Sequence, residues 1–199
     1  MKIGIMGGTF DPIHNGHLML GHAAYEAFSL DQIWFMPNGN PPHKKSETIK
    51  STAEDRMKMT SLAIAPFPEF VLQPYEALRA EVSCSYQTME HFSKIYPDDE
   101  FYFIIGADSL MAIETWVHPE RIFPTCTILA TYRNEVKTKE EMNRQIQYLS
   151  EKYHAKIQNS IYIFTISPAN PVPQRSNGKK EARNVPRLFH AKPSGYLAA

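Results

Sequence analysis

The sequence contains little cysteine, no excess of one charge and no long hydrophobic run. Its two cysteines, Cys84 and Cys126, have no metal-ligand spacing, which favours a reduced, cytoplasmic protein without a disulfide framework. Lys plus Arg and Asp plus Glu number 21 each, so no global basic field favours nucleic acid. No apolar run approaches the roughly 18 residues that a membrane helix needs. The start, MKIGIMGGTF, is too short and too interrupted by glycine for a signal peptide. We therefore expect neither a membrane nor a nucleic-acid partner.

Short apolar runs alternate with helical patterns along the chain. The patterns predict strands over 2–6, 32–37, 69–74, 100–108, 126–132 and 160–166, and helices over 17–28, 53–64, 85–96, 109–116 and 138–153. Thr52 is a predicted N-cap, and Thr138 with Glu141 matches a capping box. Continuous apolar strands between helices are typical of parallel strands buried on both faces. The sequence therefore predicts one α/β domain, a doubly wound Rossmann-like parallel sheet, with ligands beyond the carboxyl ends of its strands.

A glycine-rich stretch, GGTFDPIHNGHL at residues 7–18, separates the first predicted strand from the first helix. Gly7 and Gly8 let the backbone approach a phosphate chain because they carry no Cβ atom. The helix from about Asn15 presents unpaired N–H groups and a positive dipole end to an anion. The stretch matches neither G-x-G-x-x-G nor the Walker pattern, which argues against hydride transfer and Walker-type nucleotide hydrolysis.

Two histidines, His14 and His17, lie three positions apart at the start of this helix and can share one face. As metal ligands, they lack the carboxylate of an H-E-x-x-H site. As donors to phosphate oxygens, they would stabilise charge during phosphoryl or nucleotidyl transfer. The remaining alternative is a glycine-rich turn with two exposed histidines, which the agreement of loop position, glycines and paired histidines disfavours.

The stretch resembles the G-G-[ST]-F-D-P-x-H-x-G-H signature of the H-x-G-H nucleotidyltransferases, with His14-Asn15-Gly16-His17 as its core. Residues 2 to about 167 are also similar, in order and spacing, to bacterial nicotinate-mononucleotide adenylyltransferases. The similar segments are IWFMPNGNPPHK (33–44), SCSYQTM (83–89), FYFIIGADSLMAIETW (101–116) and ILATYR (128–133). In the second segment, Cys84, Ser85 and Gln87 stand where Tyr, Thr and Asp are usual.

The resemblance implies adenylyl transfer from ATP to nicotinate mononucleotide, giving deamido-NAD and pyrophosphate in NAD biosynthesis. Two alternatives stay open. One is transfer to another acceptor, either nicotinamide mononucleotide or phosphopantetheine. The other is an inactive nucleotide-binding protein. The implied partners are small-molecule substrates, and the sequence leaves a homo-oligomer open. Mg²⁺ is expected to be carried with ATP, because no carboxylate cage for it is recognisable and no residue is assigned to a metal.

The resemblance also implies roles for individual residues. The implied catalytic residues are His14, His17 and Lys44; the implied ATP-binding residues are Gly7, Gly8, Thr9, Phe10, His17, Gly106 and Asp108; and the implied nicotinate-mononucleotide-binding residues are Ser85, Tyr86, Thr88, Trp116 and Arg133.

On the ATP side, two of these side chains have structural alternatives. Lys44 can neutralise triphosphate charge from a proline-rich loop, or it can be solvated beside Lys45. Asp108 follows a predicted strand and can accept ribose hydroxyls. Its alternative is the N-cap of helix 109–116.

On the mononucleotide side, Ser85, Tyr86 and Thr88 open a predicted helix, where N–H and hydroxyl groups suit a carboxylate. Their alternative is simple capping of that helix. Trp116 can stack on a pyridine ring, or it can be a core side chain. Arg133 can hold a phosphate, or it can end its strand in solvent.

Residues 168–199 depart from the family pattern, which continues as I-S-[ST]-[ST]-x-[IV]-R and a closing helix. Here a proline-rich run follows Ser167, and residues 165–199 hold six Lys or Arg against Glu181. This charge of +5 leaves −5 for residues 1–164 of the neutral chain. The segment is a basic disordered tail, a tail that binds RNA or a partner, or the product of a reading-frame change. We favour the frame change, because the match ends at one point. If the tail is genuine, ATP affinity is expected to suffer.

Overall fold

A six-stranded parallel sheet forms the centre of the structure. The computed structural model describes residues 1–40, 49–133 and 136–163. The strands are β1 (Lys2–Gly8), β2 (Gln32–Pro37), β3 (Phe70–Leu72), β4 (Glu100–Gly106), β5 (Thr127–Arg133) and β6 (Ile157–Ile163). The helices are α1 (Asn15–Ala27), α2 (Ala53–Ile64), α3 (Ser85–Ile95), α4 (Ala107–Ala112) and α5 (Val136–Tyr153). Short 3-10 turns at Ile113–Thr115, Pro119–Arg121 and Phe123–Thr125 connect α4 to β5.

The strand order is β3-β2-β1-β4-β5-β6, and every neighbouring pair is parallel. The chain first winds outward from β1 through β2 to β3. It then returns to the other side of β1 and winds outward again from β4. This is the doubly wound Rossmann order, so the predicted fold class is confirmed. The order reverses between β1 and β4, which is the place where such sheets bind ligands.

Buried side chains fill both faces of the sheet. Ile3 and Ile5 of β1 belong to the cluster that packs against α3, α4 and α5, whereas Met6 belongs to the cluster that packs against α1 and α2. Successive strand side chains point to opposite faces, which explains why the central strands are apolar almost without interruption. Trp34 is 7 % exposed within the first cluster, as its prediction as a core residue requires.

Several predicted element ends are corrected by the structure. The predicted N-cap at Thr52 is confirmed, since its hydroxyl accepts from the Asp55 amide at 3.1 Å. The predicted start of the fifth helix at Thr138 is wrong, because α5 already begins at Val136. The last strand is β6 (Ile157–Ile163) instead of 160–166. At the start of β6, exposed Gln158 lies between half-buried Ile157 and Asn159, as suits a strand at the end of the described strand order. This stretch therefore contains no continuous apolar run.

Within the described part of the chain, no helix combines the length and the apolar character that crossing a bilayer requires.

Candidate active site

A crevice opens between β1 and β4 at the carboxyl ends of the strands. The pairing of these two strands stops at Ile5 and Phe103, although each strand continues for three more residues, to Gly8 and Gly106. In contrast, β1 stays paired to β2 as far as Gly8, and β4 stays paired to β5 as far as Gly106. The sheet therefore divides at the reversal of strand order.

Glycines line this division, for different reasons. Among the described residues, a Cβ atom on Gly106 would meet nothing within 4 Å, and one on Gly7 would lie 3.9 Å from the Phe103 ring. Packing of the protein therefore does not demand glycine at either position. A Cβ atom on Gly8 would lie 2.9 Å from Cε1 of Phe10, so here the fold itself requires glycine. Gly7 and Gly106 leave open space at the crevice, where a ligand can approach the backbone.

The loop from β1 to α1 turns at Phe10, which has a positive φ of 49°. The Phe10 ring is buried at 3 % exposure in the core, so only its backbone is available to a ligand. The ring packs edge-on against the His17 ring, with centroids 5.0 Å apart. The loop is thus anchored by its own aromatic side chain, and that anchor also supports a predicted catalytic histidine.

The helix start brings the two predicted histidines together. His14 is the N-cap of α1, and its amide donates to Nδ1 of His17 at 3.2 Å. The two rings stack with centroids 3.8 Å apart and planes 26° from parallel. The first turn of α1 carries no acidic side chain, so nothing there opposes an anion.

Burial, and secondarily the neighbouring His14, lower the pKa of His17 to about 4. His17 is therefore neutral at physiological pH. Since its Nδ1 accepts the His14 amide, its proton lies on Nε2. His17 can thus donate a hydrogen bond to a phosphate oxygen without carrying a charge of its own.

Other predicted residues lie around the same edge of the sheet. Asp108 is exposed in the first turn of α4, whose N-cap is Gly106, so the alternative of Asp108 as N-cap is wrong. The predicted helix 109–116 ends at Ala112, and Trp116 follows the next 3-10 turn. Trp116 is half-buried and packs edge-on against Phe103, with centroids 6.2 Å apart.

The side chains at the start of α3 are more buried than the sequence indicated. Cys84 is its N-cap and makes no side-chain capping bond, while Ser85 and Tyr86 are half-buried. Thr88 is 3 % exposed, and its hydroxyl donates to the carboxylate of Glu76 at 2.6 Å. The Thr88 side chain therefore faces the interior, and its role toward a ligand stays a prediction.

Tyr86 contributes to a surface cluster along α3. The Arg121 guanidinium lies 4.4 Å above its ring and forms two hydrogen bonds, of 2.7 and 2.6 Å, with Glu90. A shallow cleft of about 500 Å³ runs along this surface, and its lining includes neither His14 nor His17.

Lys44 and the side chain of Arg133 lie outside the described residues. Arg133 itself is the last residue of β5.

Sequence reasoning missed two residues that hold the loop after β1. Arg56 is 2 % exposed on α2 and donates to the Thr9 carbonyl at 2.7 Å. Asp11 accepts from the backbone amides of Lys50 at 2.7 Å and Ser51 at 3.3 Å. Hydrogen bonds from Ser51 and Lys50 lower the pKa of the Asp11 carboxyl. The only signal for Arg56 was its spacing of four and eight residues from buried Thr60 and Ile64 on one face of α2.

No described group of three or more His, Cys, Asp or Glu side chains is arranged to hold a metal ion. The histidine pair and the backbone at the start of α1 offer hydrogen-bond donors that suit phosphate oxygens.

Known proteins resemble this chain in both sequence and fold. The cytidylyltransferase-like family model matches residues 5–190. A probable nicotinate-nucleotide adenylyltransferase of Carboxydothermus hydrogenoformans is 41 % identical over 156 residues, covering 78 % of this chain and 76 % of the relative. One of Clostridium kluyveri is 37 % identical over 189 residues, covering 93 % and 90 %.

A solved structure of Plasmodium falciparum nicotinic acid mononucleotide adenylyltransferase complexed with NaAD aligns with a TM-score of 0.67 and 21 % identity. The alignment covers 83 % of this chain and 77 % of that one. At this identity the structural likeness supports the fold alone. The family model and the sequence relatives go further: the chain belongs to the cytidylyltransferase-like family, among the nicotinate-nucleotide adenylyltransferases.

Proposed function

We propose that the chain transfers the adenylyl group of ATP to nicotinate mononucleotide, giving deamido-NAD and pyrophosphate. The observation that carries the proposal is the stacked pair His14 and His17 at the start of α1, directly after the strand that borders the crevice. The reaction is inferred from membership of the family, and the pair offers hydrogen-bond donors for the phosphate oxygens of that reaction.

The acceptor phosphate attacks the α-phosphorus of ATP in line with the leaving pyrophosphate. A new bond forms between the α-phosphorus and an oxygen of the mononucleotide phosphate. At the same time the bond breaks between the α-phosphorus and the oxygen that joins it to the β-phosphorus, and that oxygen leaves with the pyrophosphate. The attacking group is already an anion, so neither a general base nor a covalent enzyme intermediate is needed. Catalysis is then positioning together with stabilisation of charge on the transferring and leaving phosphates.

His14 and His17 are proposed to donate hydrogen bonds to the phosphate oxygens where negative charge increases. The neutral state of His17 suits this role, since its Nε2 proton is available at physiological pH. The dipole of α1 and the amides at its start add to the stabilisation. The loop amides of Thr9 and Phe10 are proposed to contact the phosphate chain beside Gly7 and Gly8.

ATP is proposed to enter as its Mg²⁺ complex, with the ion held by the phosphates. Asp108, exposed in the first turn of α4 just after β4, is proposed to accept the ribose hydroxyls of ATP next to Gly106. Lys44 is proposed to neutralise charge on the triphosphate.

The mononucleotide is proposed to lie between the start of α3 and Trp116. Trp116 packs against Phe103 with the ring planes 71° apart and is half-buried, so part of its aromatic surface is exposed for a pyridine ring. Ser85 and Tyr86 are proposed to recognise the nicotinate carboxylate through the amides and the Ser85 hydroxyl at the start of α3. The Thr88 hydroxyl already donates to Glu76, so the ligand role of Thr88 stays a prediction. Arg133, at the end of β5, is proposed to hold a phosphate.

The test is pyrophosphate release by the 199-residue chain with Mg-ATP and nicotinate mononucleotide, with nicotinamide mononucleotide and phosphopantetheine in parallel. We expect release with the nicotinate substrate and much less with the others. Release with another acceptor alone would keep the reaction class and replace the acceptor. No release with any acceptor, together with ATP binding in a titration, would replace the enzyme with a nucleotide-binding protein.

A further inference from the structure

Arg56 is a charged side chain buried beside the loop after β1. It is 2 % exposed, and burial lowers its pKa, although the pKa of arginine is so high that the group stays charged. Among the residues that the structure describes, none accepts a hydrogen bond from its Nε. Burying a charge and leaving one of its donors unsatisfied costs stability. Folding alone would be served better by an apolar residue at this position of α2, so the contacts of Arg56 need another explanation.

Those contacts lie on the backbone of the loop and on the end of β2. Nη1 of Arg56 donates to the Thr9 carbonyl at 2.7 Å and to Oδ1 of Asn38 at 3.4 Å. The backbone amide of Asn38 donates in turn to the Gly8 carbonyl at 2.9 Å. Two successive carbonyls are thereby held: that of Gly8, the last residue of β1, by the Asn38 amide, and that of Thr9, the first residue of the loop, by Arg56.

Holding these carbonyls also directs the amides that follow them. In a planar trans peptide, the C=O and N–H groups point in opposite directions. The Gly8 carbonyl therefore fixes the direction of the Thr9 amide, and the Thr9 carbonyl fixes that of the Phe10 amide. The Thr9 amide therefore faces away from Asn38, and the Phe10 amide faces away from Arg56. They are the same two amides that the proposed mechanism places on the phosphate chain.

Asp11, in the same loop as Thr9, stabilises the charge of Arg56 electrostatically. The carboxylate attracts the guanidinium and opposes the lowering of its pKa. Asp11 also accepts from the amides of Lys50 and Ser51, just before α2 begins. Arg56 and Asp11 together thus fasten the loop to the start of the helix that carries Arg56.

We propose that Arg56 is a positioning residue for ATP: it aims the Thr9 and Phe10 amides by holding the Thr9 carbonyl and Asn38. It acts through the loop without touching the substrate. The inference rests on the proposed function for its substrate, but the loop geometry that it assigns can be measured without catalysis.

The test compares Arg56→Met and Arg56→Lys with Thr60→Val. Thr60 is fully buried one turn further along α2, where its hydroxyl donates to the Arg56 carbonyl at 2.7 Å. Thr60→Val therefore perturbs the same helix while leaving the guanidinium contacts in place. The readouts are steady-state kinetics for both substrates, Mg-ATP affinity by calorimetry, and amide hydrogen exchange over residues 7–14 of the free protein.

For Arg56→Met we expect a kcat/KM for ATP lower by at least about tenfold, and a KM for nicotinate mononucleotide changed by less than about threefold. Amides over 7–14 should exchange faster and Mg-ATP should bind more weakly, whereas Thr60→Val should match the wild type in all of these. Arg56→Lys should lie between, because one ammonium keeps the charge but loses the planar geometry of the guanidinium.

The proposal is overturned if Arg56→Met leaves exchange and ATP affinity unchanged. It is also overturned if Thr60→Val reproduces the effects of Arg56→Met, or if Arg56→Lys equals the wild type. Should the wild-type chain release no pyrophosphate, the proposed function fails. Exchange over 7–14 and ATP affinity then still decide whether Arg56 positions the loop.

Discussion

His14 and His17 stack face to face at the start of α1, with ring centroids 3.8 Å apart, and the His14 amide donates to Nδ1 of His17. Two imidazoles in such contact resist carrying two positive charges, so at least one of them is a neutral donor. The pair is therefore suited to hydrogen bonding with phosphate across the physiological pH range. It is not arranged to bind phosphate as a pair of fixed charges.

The first prediction concerns this pair. His14→Ala and His17→Ala should each lower kcat by about 100-fold or more, which is the usual effect of removing one donor to a developing negative charge. The control is His22→Ala, on the same helix, where His22 lies near Glu26 and Glu69. His22→Ala should keep kcat within about threefold of the wild type. Pyrophosphate release measures all three variants, and equal losses at His14 and His22 would contradict the assignment.

The second prediction concerns the dependence of stability on pH. The folded-state pKa of His17 is about 4, below the ordinary 6.5 of the unfolded chain. The folded state therefore binds a proton at His17 less readily than the unfolded chain does. Above about pH 6.5 both states are neutral, and stability falls as pH decreases from there through about 4. His17→Gln should lose this part of the pH dependence. Urea unfolding of both proteins across that range measures it, and parallel curves would show that His17 is not the titrating group.

The main elements of the fold were predictable because the signals for buried strands and helices are local. Continuous apolar runs as short and aromatic as FYFIIG at 101–106 are typical of strands inside a sheet that is covered on both faces. The ends of elements were less predictable. A Thr-x-x-Glu pattern occurs inside helices as well as at their starts, so Thr138 did not mark the start of α5. At β6, which ends the order of the described strands, polar Gln158 and Asn159 follow Ile157 and Gln158 is exposed, so no continuous apolar run marks the start of the strand.

The site was predictable where one motif occupies consecutive residues, as at His14 and His17. It was not predictable where residues from separate elements meet. On an amphipathic helix, a single sequence does not distinguish a buried arginine such as Arg56 from an exposed one. The partners of Arg56, Thr9 and Asn38, are 47 and 18 positions away in the chain. Only the three-dimensional structure brings them together.

The third prediction tests Trp116 as the residue that stacks on the pyridine ring. The chain has two tryptophans, and the other, Trp34, is buried. In Trp34→Phe, tryptophan fluorescence therefore reports on Trp116 alone. We expect nicotinate mononucleotide to quench it, because a stacked pyridine ring contacts the indole directly. Trp116→Phe, which retains only Trp34, should show no quenching. Trp116→Ala should raise the KM for the mononucleotide by about two- to tenfold. Equal responses of the two single-tryptophan proteins would place the ring elsewhere.

The fourth prediction concerns the buried pair of Thr88 and Glu76. Burial raises the pKa of Glu76, and the hydrogen bond from Thr88 partly opposes this rise. Thr88→Val should therefore raise this pKa further and destabilise the protein by about 1–3 kcal/mol. A carboxyl whose pKa is raised in the folded state lowers the free energy of unfolding as the pH rises through that pKa. Thr88→Val raises the Glu76 pKa further, so its loss of stability relative to the wild type should be larger near neutral pH than in acid.

Thr88→Ser keeps the hydroxyl and is the matched control for this pair. Urea unfolding at acidic and neutral pH measures both variants. A Thr88→Val loss that does not grow between acidic and neutral pH would mean that Glu76 does not titrate in that interval. The same proteins test the predicted ligand role of Thr88. A hydroxyl that binds the mononucleotide should leave the KM of Thr88→Ser near that of the wild type and raise that of Thr88→Val.

The fifth prediction separates a glycine required by the fold from one required by a ligand. A Cβ atom on Gly8 would lie 2.9 Å from the Phe10 ring, which is itself buried and positioned beside His17. Gly8→Ala should therefore destabilise the protein by about 1–3 kcal/mol, since the ring must shift to admit a methyl group. A Cβ atom on Gly7 would meet, of the residues that the structure describes, only Phe103, at an ordinary 3.9 Å. Gly7→Ala should keep the stability of the wild type.

Gly7→Ala should instead lose catalysis, measured at temperatures where both variants are folded. Gly7→Ala places a methyl group at the crevice between β1 and β4, where the proposed triphosphate lies against the backbone. It should lower kcat/KM for ATP by about tenfold or more while leaving the unfolding midpoint unchanged, because the methyl group competes with the phosphates for space. Thermal unfolding and pyrophosphate release on the same preparations provide both measurements. If Gly7→Ala has wild-type activity, ATP does not approach the backbone at this strand end, and the crevice must bind its substrate further from Gly7.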